Sequence, residues 1–122
     1  MQKSIRALKY ALNGLRYAVV NERNFRIEIL CAIFTIVMAF IFKIPMFAWL
    51  ILVINICFVL AAELFNTAIE KLADIGCKEI NPVIKIIKDV AAGAVWLSSI
   101  IVIIMGLIIF VPYILKWLNL QK

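Results

Sequence analysis

Apolar positions gather in three long blocks, roughly 27–42, 46–62 and 90–115, divided by short charged stretches. Each is near the ~20 residues with which an α-helix crosses a bilayer. The two shorter blocks reach that length if their helices extend into the polar flanks. Upstream the period changes. Ile5, Leu8, Leu12, Leu15 and Val19 recur at three- and four-residue steps, while Arg6, Lys9, Asn13 and Arg16 fall on another face. That pattern predicts an amphipathic helix over 4–21 lying in the membrane surface. A third strip, Ala7, Ala11, Gly14 and Ala18 with Tyr10 and Tyr17 alongside, is small enough for another helix to approach closely. The pattern predicts an all-α membrane protein with one domain over 1–122: a surface helix over 1–24 and spans over 25–43, 46–75 and 82–116. The second span carries a cytoplasmic extension. Gly76 can end that helix and Pro82 can start the next.

Composition agrees with membrane burial. Of 122 residues, 66% are hydrophobic, more than a water-soluble domain of this size can hide. The stretch before the first span holds Lys3, Arg6, Lys9, Arg16 and Arg23 and lacks a continuous apolar run, so no cleavable signal peptide is expected. Six Lys and Arg precede the first span through Arg26, one lies in the Lys43–Pro45 turn, four lie between Lys71 and Lys88, and two follow the third span. The positive-inside tendency then puts the N-terminus and the second connection in the cytoplasm. A net charge of +6 reads as topology and attraction to anionic headgroups, not as nucleic-acid binding, because the basic residues are dispersed along a membrane surface.

The residue types present restrict the chemistry. There is no histidine, so a general base must be a carboxylate and a metal must be a hard cation held through oxygen. Cys31, Cys57 and Cys77 are unclustered and odd in number; they are expected as small apolar packing residues without a disulfide. The four glycines form neither a P-loop nor a kinase glycine-rich loop.

The charge-free run from Met46 to Ala62 leads straight into Glu63-Leu-Phe-Asn66-Thr67-Ala-Ile-Glu70-Lys71-Leu-Ala-Asp74. On a helix, Glu63, Asn66, Glu70 and Asp74 project along one stripe. Ionisable groups at this depth are costly and functional by default. Such a stripe can hold a divalent cation and take a proton from a hydroxyl, as phosphoryl transfer to a membrane-embedded alcohol requires. Glu22, in the crowded segment Asn21–Glu28, sits at the same boundary; it can pair with Arg26 one turn on, or serve as a further metal ligand. Beyond Pro82, Lys85, Lys88, Asp89 and Ala92 share a face beside the small run Ala91–Ala94. A lysine there either anchors the helix to the membrane surface or neutralises phosphate charge.

These blocks resemble a known family. Glu63 to Asp74 matches E-x-x-N-[ST]-[SA]-x-E-x-x-x-D, a signature of the small prokaryotic diacylglycerol kinases and their undecaprenol kinase relatives. Asn13-Gly14-Leu15-Arg16, Asn21-Glu22-x-x-Phe25-Arg26 and Lys88-Asp89-x-Ala-Ala-Gly-Ala agree in order and spacing. The resemblance implies an ATP- and Mg²⁺-dependent lipid kinase of the bacterial cytoplasmic membrane. It also implies a homotrimer whose active sites are shared between subunits and face the cytoplasm. At matching positions, Glu63 would be the general base, and Glu22 and Glu70 the Mg²⁺ ligands. Tyr10, Glu22, Glu70, Glu79, Asn81, Lys88 and Asp89 would contact nucleotide. Arg16, Asn24, Arg26, Glu28, Glu63 and Ala92 would line the lipid-headgroup side, with Asn66 and Asp74 in support. The segments around Lys88 and Glu22 look more like the undecaprenol kinase branch than the enteric diacylglycerol branch. Two other classes compete: a small cation or multidrug transporter, and a non-catalytic assembly subunit. Against the first, the acids cluster at the boundary and mid-span offers only Asn55; the second leaves the acidic stripe unexplained.

Overall fold

A computed structural model describes residues 2–76 and 81–119, all helical apart from short connections. Helix α1 covers Gln2–Asn21, α2 Arg23–Ile41, α3 Met46–Gly76 and α4 Pro82–Asn119. The three long apolar helices α2, α3 and α4 have the length and composition to cross a membrane. Helix α4 packs mainly along α3, with α2 on α3 and α1 across their polar ends. Cys77 and Glu79 lie outside the described residues.

One residue separates α1 from α2. Glu22 takes an extended backbone, φ −102° and ψ 116°, and its side chain caps neither helix. Its N–H closes the last turn of α1 onto the Ala18 carbonyl at 2.9 Å, and its own carbonyl receives Arg26 N–H at 3.3 Å. Arg26 does not pair with Glu22. Its guanidinium donates instead to the carbonyls of Val19 and Val20, at 3.2 and 2.7 Å. The last carbonyls of α1 have no helical partner, and a cation there also favours the negative end of the helix dipole, so this contact outcompetes the pairing with Glu22.

At the other end of the spans, α2 stops where Lys43 adopts φ 50°. The left-handed residue reverses the chain and lets Ile44 N–H reach the Ala39 carbonyl at 3.3 Å. Ala39, Ile44 and Leu52 form the buried centre of this turn, surrounded by Phe42, Trp49, Phe110 and Tyr113. Phe42 sits 6.2 Å from Phe110 and 6.1 Å from Tyr113, ring centre to ring centre, so aromatics lock α2 to α4 at the level where amphipathic rings favour the interface. Ala39 has no exposed surface. We expect Ala39→Leu to lower stability by about 1–3 kcal/mol through overpacking, read as a lower thermal unfolding midpoint in detergent; an unchanged midpoint would show that this turn yields freely.

The small-residue strip of α1 faces Leu64, Thr67 and Ala68 of α3. Ala18 is buried there, but a Cβ placed on Gly14 or Gly93 would meet nothing within 4 Å, so neither glycine is closely approached within one chain. Most apolar side chains on the spans also face outward and need lipid or another subunit to cover them. Cys31 and Cys57 are free and exposed, rather than packed in the interior as their apolar character suggested.

Candidate active site

The acidic stripe of α3 rises out of the helix packing as it leaves the apolar stretch. Glu63 and Asn66 are buried, at 3% and 7% exposure; Glu70 is half-buried and Asp74 exposed. Glu63 lies in the wall shared by α2, α3 and α4, whereas Asp74, nearer Gly76, faces outward beside Lys88 of α4. Asn66 Nδ2 donates to Glu70 Oε1 at 3.2 Å, one turn along. That bond orients both side chains on the same face.

Helices α2, α3 and α4 enclose a cleft of about 390 Å³ around this stripe, with Asn24, Glu28, Glu63, Asn66, Glu70 and Ala92 in its wall. Ile27, Val95, Trp96 and Ser99 complete the lining. Sequence reading did not single out those four; Trp96 and Ser99 follow Ala92 by one and two helical turns, the spacing that could have revealed them. Three side-chain oxygens are buried without a partner: Glu28 Oε2, Glu63 Oε2 and Asn66 Oδ1. Buried polar atoms without partners are costly, and three in one cleft make it a candidate place for a polar group of a ligand. Glu63 lies within electrostatic reach of Glu70 and Glu22, and Glu28 within reach of Glu63. Below the acids, an apolar groove of about 240 Å³ shares Ile27, Glu28 and Ser99 with the cleft and runs past Cys31, Val59 and Val102. The cleft therefore opens at one end to polar groups and at the other to the apolar depth of the helices.

Above the cleft two ion pairs bind the helices together. Lys71 Nζ lies 3.5 Å from Glu22 Oε1 and joins α3 to the α1–α2 break. Lys88 Nζ lies 2.7 Å from Asp74 Oδ1 and joins α4 to α3. Lys88 thus already faces the acidic stripe, while Asp89, one residue on, is exposed. In sequence Lys71 reads only as one of the four basic residues between Lys71 and Lys88 that orient the helices. Glu22 and Glu70 offer only oxygen donors, the kind a hard divalent cation takes. Among the described residues, no three acid or cysteine side chains form a metal cage of their own. Two carboxylates suit a cation that completes its shell with phosphate and water, as Mg²⁺ commonly does.

Several expected residues stand elsewhere. Tyr10 and Arg16 are exposed on α1, outside the cleft. Arg26 is committed to α1 carbonyls. Asn81 accepts Val83 N–H at 2.9 Å and so caps α4. In mid-span, Asn55 donates to the Ile51 carbonyl of its own helix at 2.8 Å. Its amide N–H is thereby held by the backbone of α3.

The family model for prokaryotic diacylglycerol kinase matches residues 9–110, taking in α2, α3, most of α1 and most of α4. The chain belongs to the prokaryotic diacylglycerol kinase family. It is 34% identical to a diacylglycerol kinase of Synechocystis over 90% of this chain, although it spans only 63% of that relative's length. It is 31% identical to the undecaprenol kinase of Bacillus subtilis over 92% of this chain and 91% of that one. A diacylglycerol kinase of Escherichia coli shares 29% identity over 82% of each chain. The family is the one the α3 signature resembles, and with three apolar helices the chain is a multi-pass membrane protein. All three relatives are named as lipid kinases.

Proposed function

We propose that this protein transfers the γ-phosphoryl group of ATP to the hydroxyl of a membrane lipid alcohol, in the first place undecaprenol, giving undecaprenyl phosphate and ADP. The observation that carries the reading is the buried, partnerless Oε2 of Glu63 in the wall of the polar cleft, which continues past Ile27, Glu28 and Ser99 into an apolar groove. A lipid alcohol brings what the cleft lacks: one hydroxyl donor on an apolar body. Its tail would lie toward the groove and its oxygen beside Glu63. Glu63 then accepts the hydroxyl proton as the oxygen bonds to the γ-phosphorus and the bridge to the β-phosphate breaks. Asn66, anchored to Glu70, and Glu28 line the same cleft beside Glu63. Glu22 and Glu70 would hold Mg²⁺, which when bound neutralises charge on the phosphates. Lys88 adds a positive charge on the same side.

The site faces the cytoplasm in this reading, where ATP is found, in agreement with the Lys and Arg distribution. The outward small residues and apolar faces support assembly into a homotrimer with sites shared between neighbours. Diacylglycerol is the alternative acceptor, since it too offers a primary hydroxyl near the membrane surface and relatives of both names match. Purified protein in mixed micelles with Mg-ATP should phosphorylate undecaprenol in preference to diacylglycerol at equal mole fraction. The reverse preference would replace the acceptor, and phosphorylation of neither would overturn the kinase reading.

A further inference from the structure

The pair that joins α3 to the α1–α2 break ties a cationic side chain to a proposed metal ligand. Lys71 follows Glu70 directly in sequence, and its ammonium lies 3.5 Å from Glu22 Oε1. The Glu22 side chain is only 20% exposed, while that of Lys71 is 51% exposed. Glu22 is held by the single-residue break and has little freedom to leave, whereas Lys71 is a long flexible side chain open to the cytoplasmic side. A divalent cation and an ammonium on the same carboxylate repel each other at close range, so each weakens the other's hold, and the exposed lysine is the group that can move. Lys88 stands across the stripe on Asp74, so a displaced Lys71 joins a second ammonium beside the space above Glu70.

From this arrangement we infer that Lys71 is a nucleotide-positioning residue: it neutralises Glu22 while the site lacks Mg-ATP and moves to the phosphates once Mg²⁺ takes Glu22. The inference rests on the kinase reading with Glu22 and Glu70 as metal ligands, and it adds a role for a side chain outside that set. The exchange conserves charge locally. Before binding, the carboxylate is balanced by the ammonium; afterwards it is balanced by the metal, and the ammonium meets phosphate oxygens. Such an exchange keeps the acidic cleft from carrying uncompensated charge at the membrane boundary in either state.

The exchange makes opposite demands on two binding equilibria. Lys71→Met removes a competitor for Glu22, so Mn²⁺ alone, followed by loss of its free-ion electron paramagnetic resonance signal, should bind roughly twofold to fivefold more tightly, as expected for an exposed ion pair. The same variant should bind the Mg²⁺ complex of a non-hydrolysable ATP analogue about tenfold more weakly by calorimetry, because a charge-assisted phosphate contact is lost. Lys71→Arg keeps the charge and should return both constants toward wild type. Opposite shifts in the Met variant, with recovery in the Arg variant, support the inference. Shifts in the same direction, a shift in only one equilibrium, no shift, or no recovery with Arg overturn it. Helical circular dichroism and oligomer size are checked on the same samples. The kinase reading is judged separately, by whether the wild-type protein phosphorylates a lipid alcohol.

Discussion

Glu63→Gln is expected to lower phosphoryl transfer by roughly 10²- to 10⁴-fold, the range associated with a positioned general base, while leaving Mg-ATP affinity and oligomer size close to wild type. The reason lies in what Gln preserves. It has the length and shape of Glu, so a side chain with 3% exposure can be replaced without opening a cavity. It is neutral, so the fold is relieved of a buried charge. What it lacks is a carboxylate able to accept the alcohol proton. Its amide can still hydrogen-bond in the cleft, which separates loss of proton transfer from loss of packing. Lipid phosphorylation, Mg-ATP binding and oligomer size should be measured on one preparation. Transfer near the wild-type rate would exclude Glu63 as the base, and breakdown of the oligomer would mark it as a structural residue.

Glu70→Ala and Glu22→Ala are each expected to weaken Mg-ATP binding by roughly tenfold to hundredfold, in line with about 1.5–3 kcal/mol for a contact to a charged group. The two losses differ in their side effects. Removing Glu70 leaves Asn66 Nδ2 without its acceptor, so that variant also loosens the amide beside Glu63. Removing Glu22 frees Lys71 and loses the contact from α3 to the α1–α2 break. Calorimetric titration of each variant with the Mg²⁺ complex of a non-hydrolysable analogue checks the prediction. Undiminished affinity in both would remove them as metal ligands.

Much of this protein is legible in one dimension. Three uninterrupted apolar blocks predict membrane helices because backbone polar groups in lipid must be satisfied within the segment, and only a helix does so locally. The stripe of Glu63, Asn66, Glu70 and Asp74 was readable for the same reason: helical periodicity determines which side chains share a face. Pro82 marks a helix start through its own backbone restriction. Each of these is a local property, carried by residues within a few turns of one another.

What required the tertiary structure was every choice between partners distant in sequence. Arg26 has Glu22 at a favourable helical spacing, but the helix breaks at Glu22, and the guanidinium finds the unsatisfied carbonyls of Val19 and Val20. Glu22 turns to Lys71, a residue 49 positions away that no periodicity could connect to it. Asn81 caps its own helix, and Tyr10 and Arg16 remain outside the cleft. The stripe itself is uniform in sequence yet graded in space: Glu63 is buried between α2, α3 and α4, and Asp74 is exposed beside Lys88. Sequence by itself determined which residues lie on a common helical face, since that depends on backbone geometry alone. Tertiary structure decided which of those faces meet, which acids lose water and which lysine neutralises which carboxylate, because burial and pairing depend on the packing of separate helices.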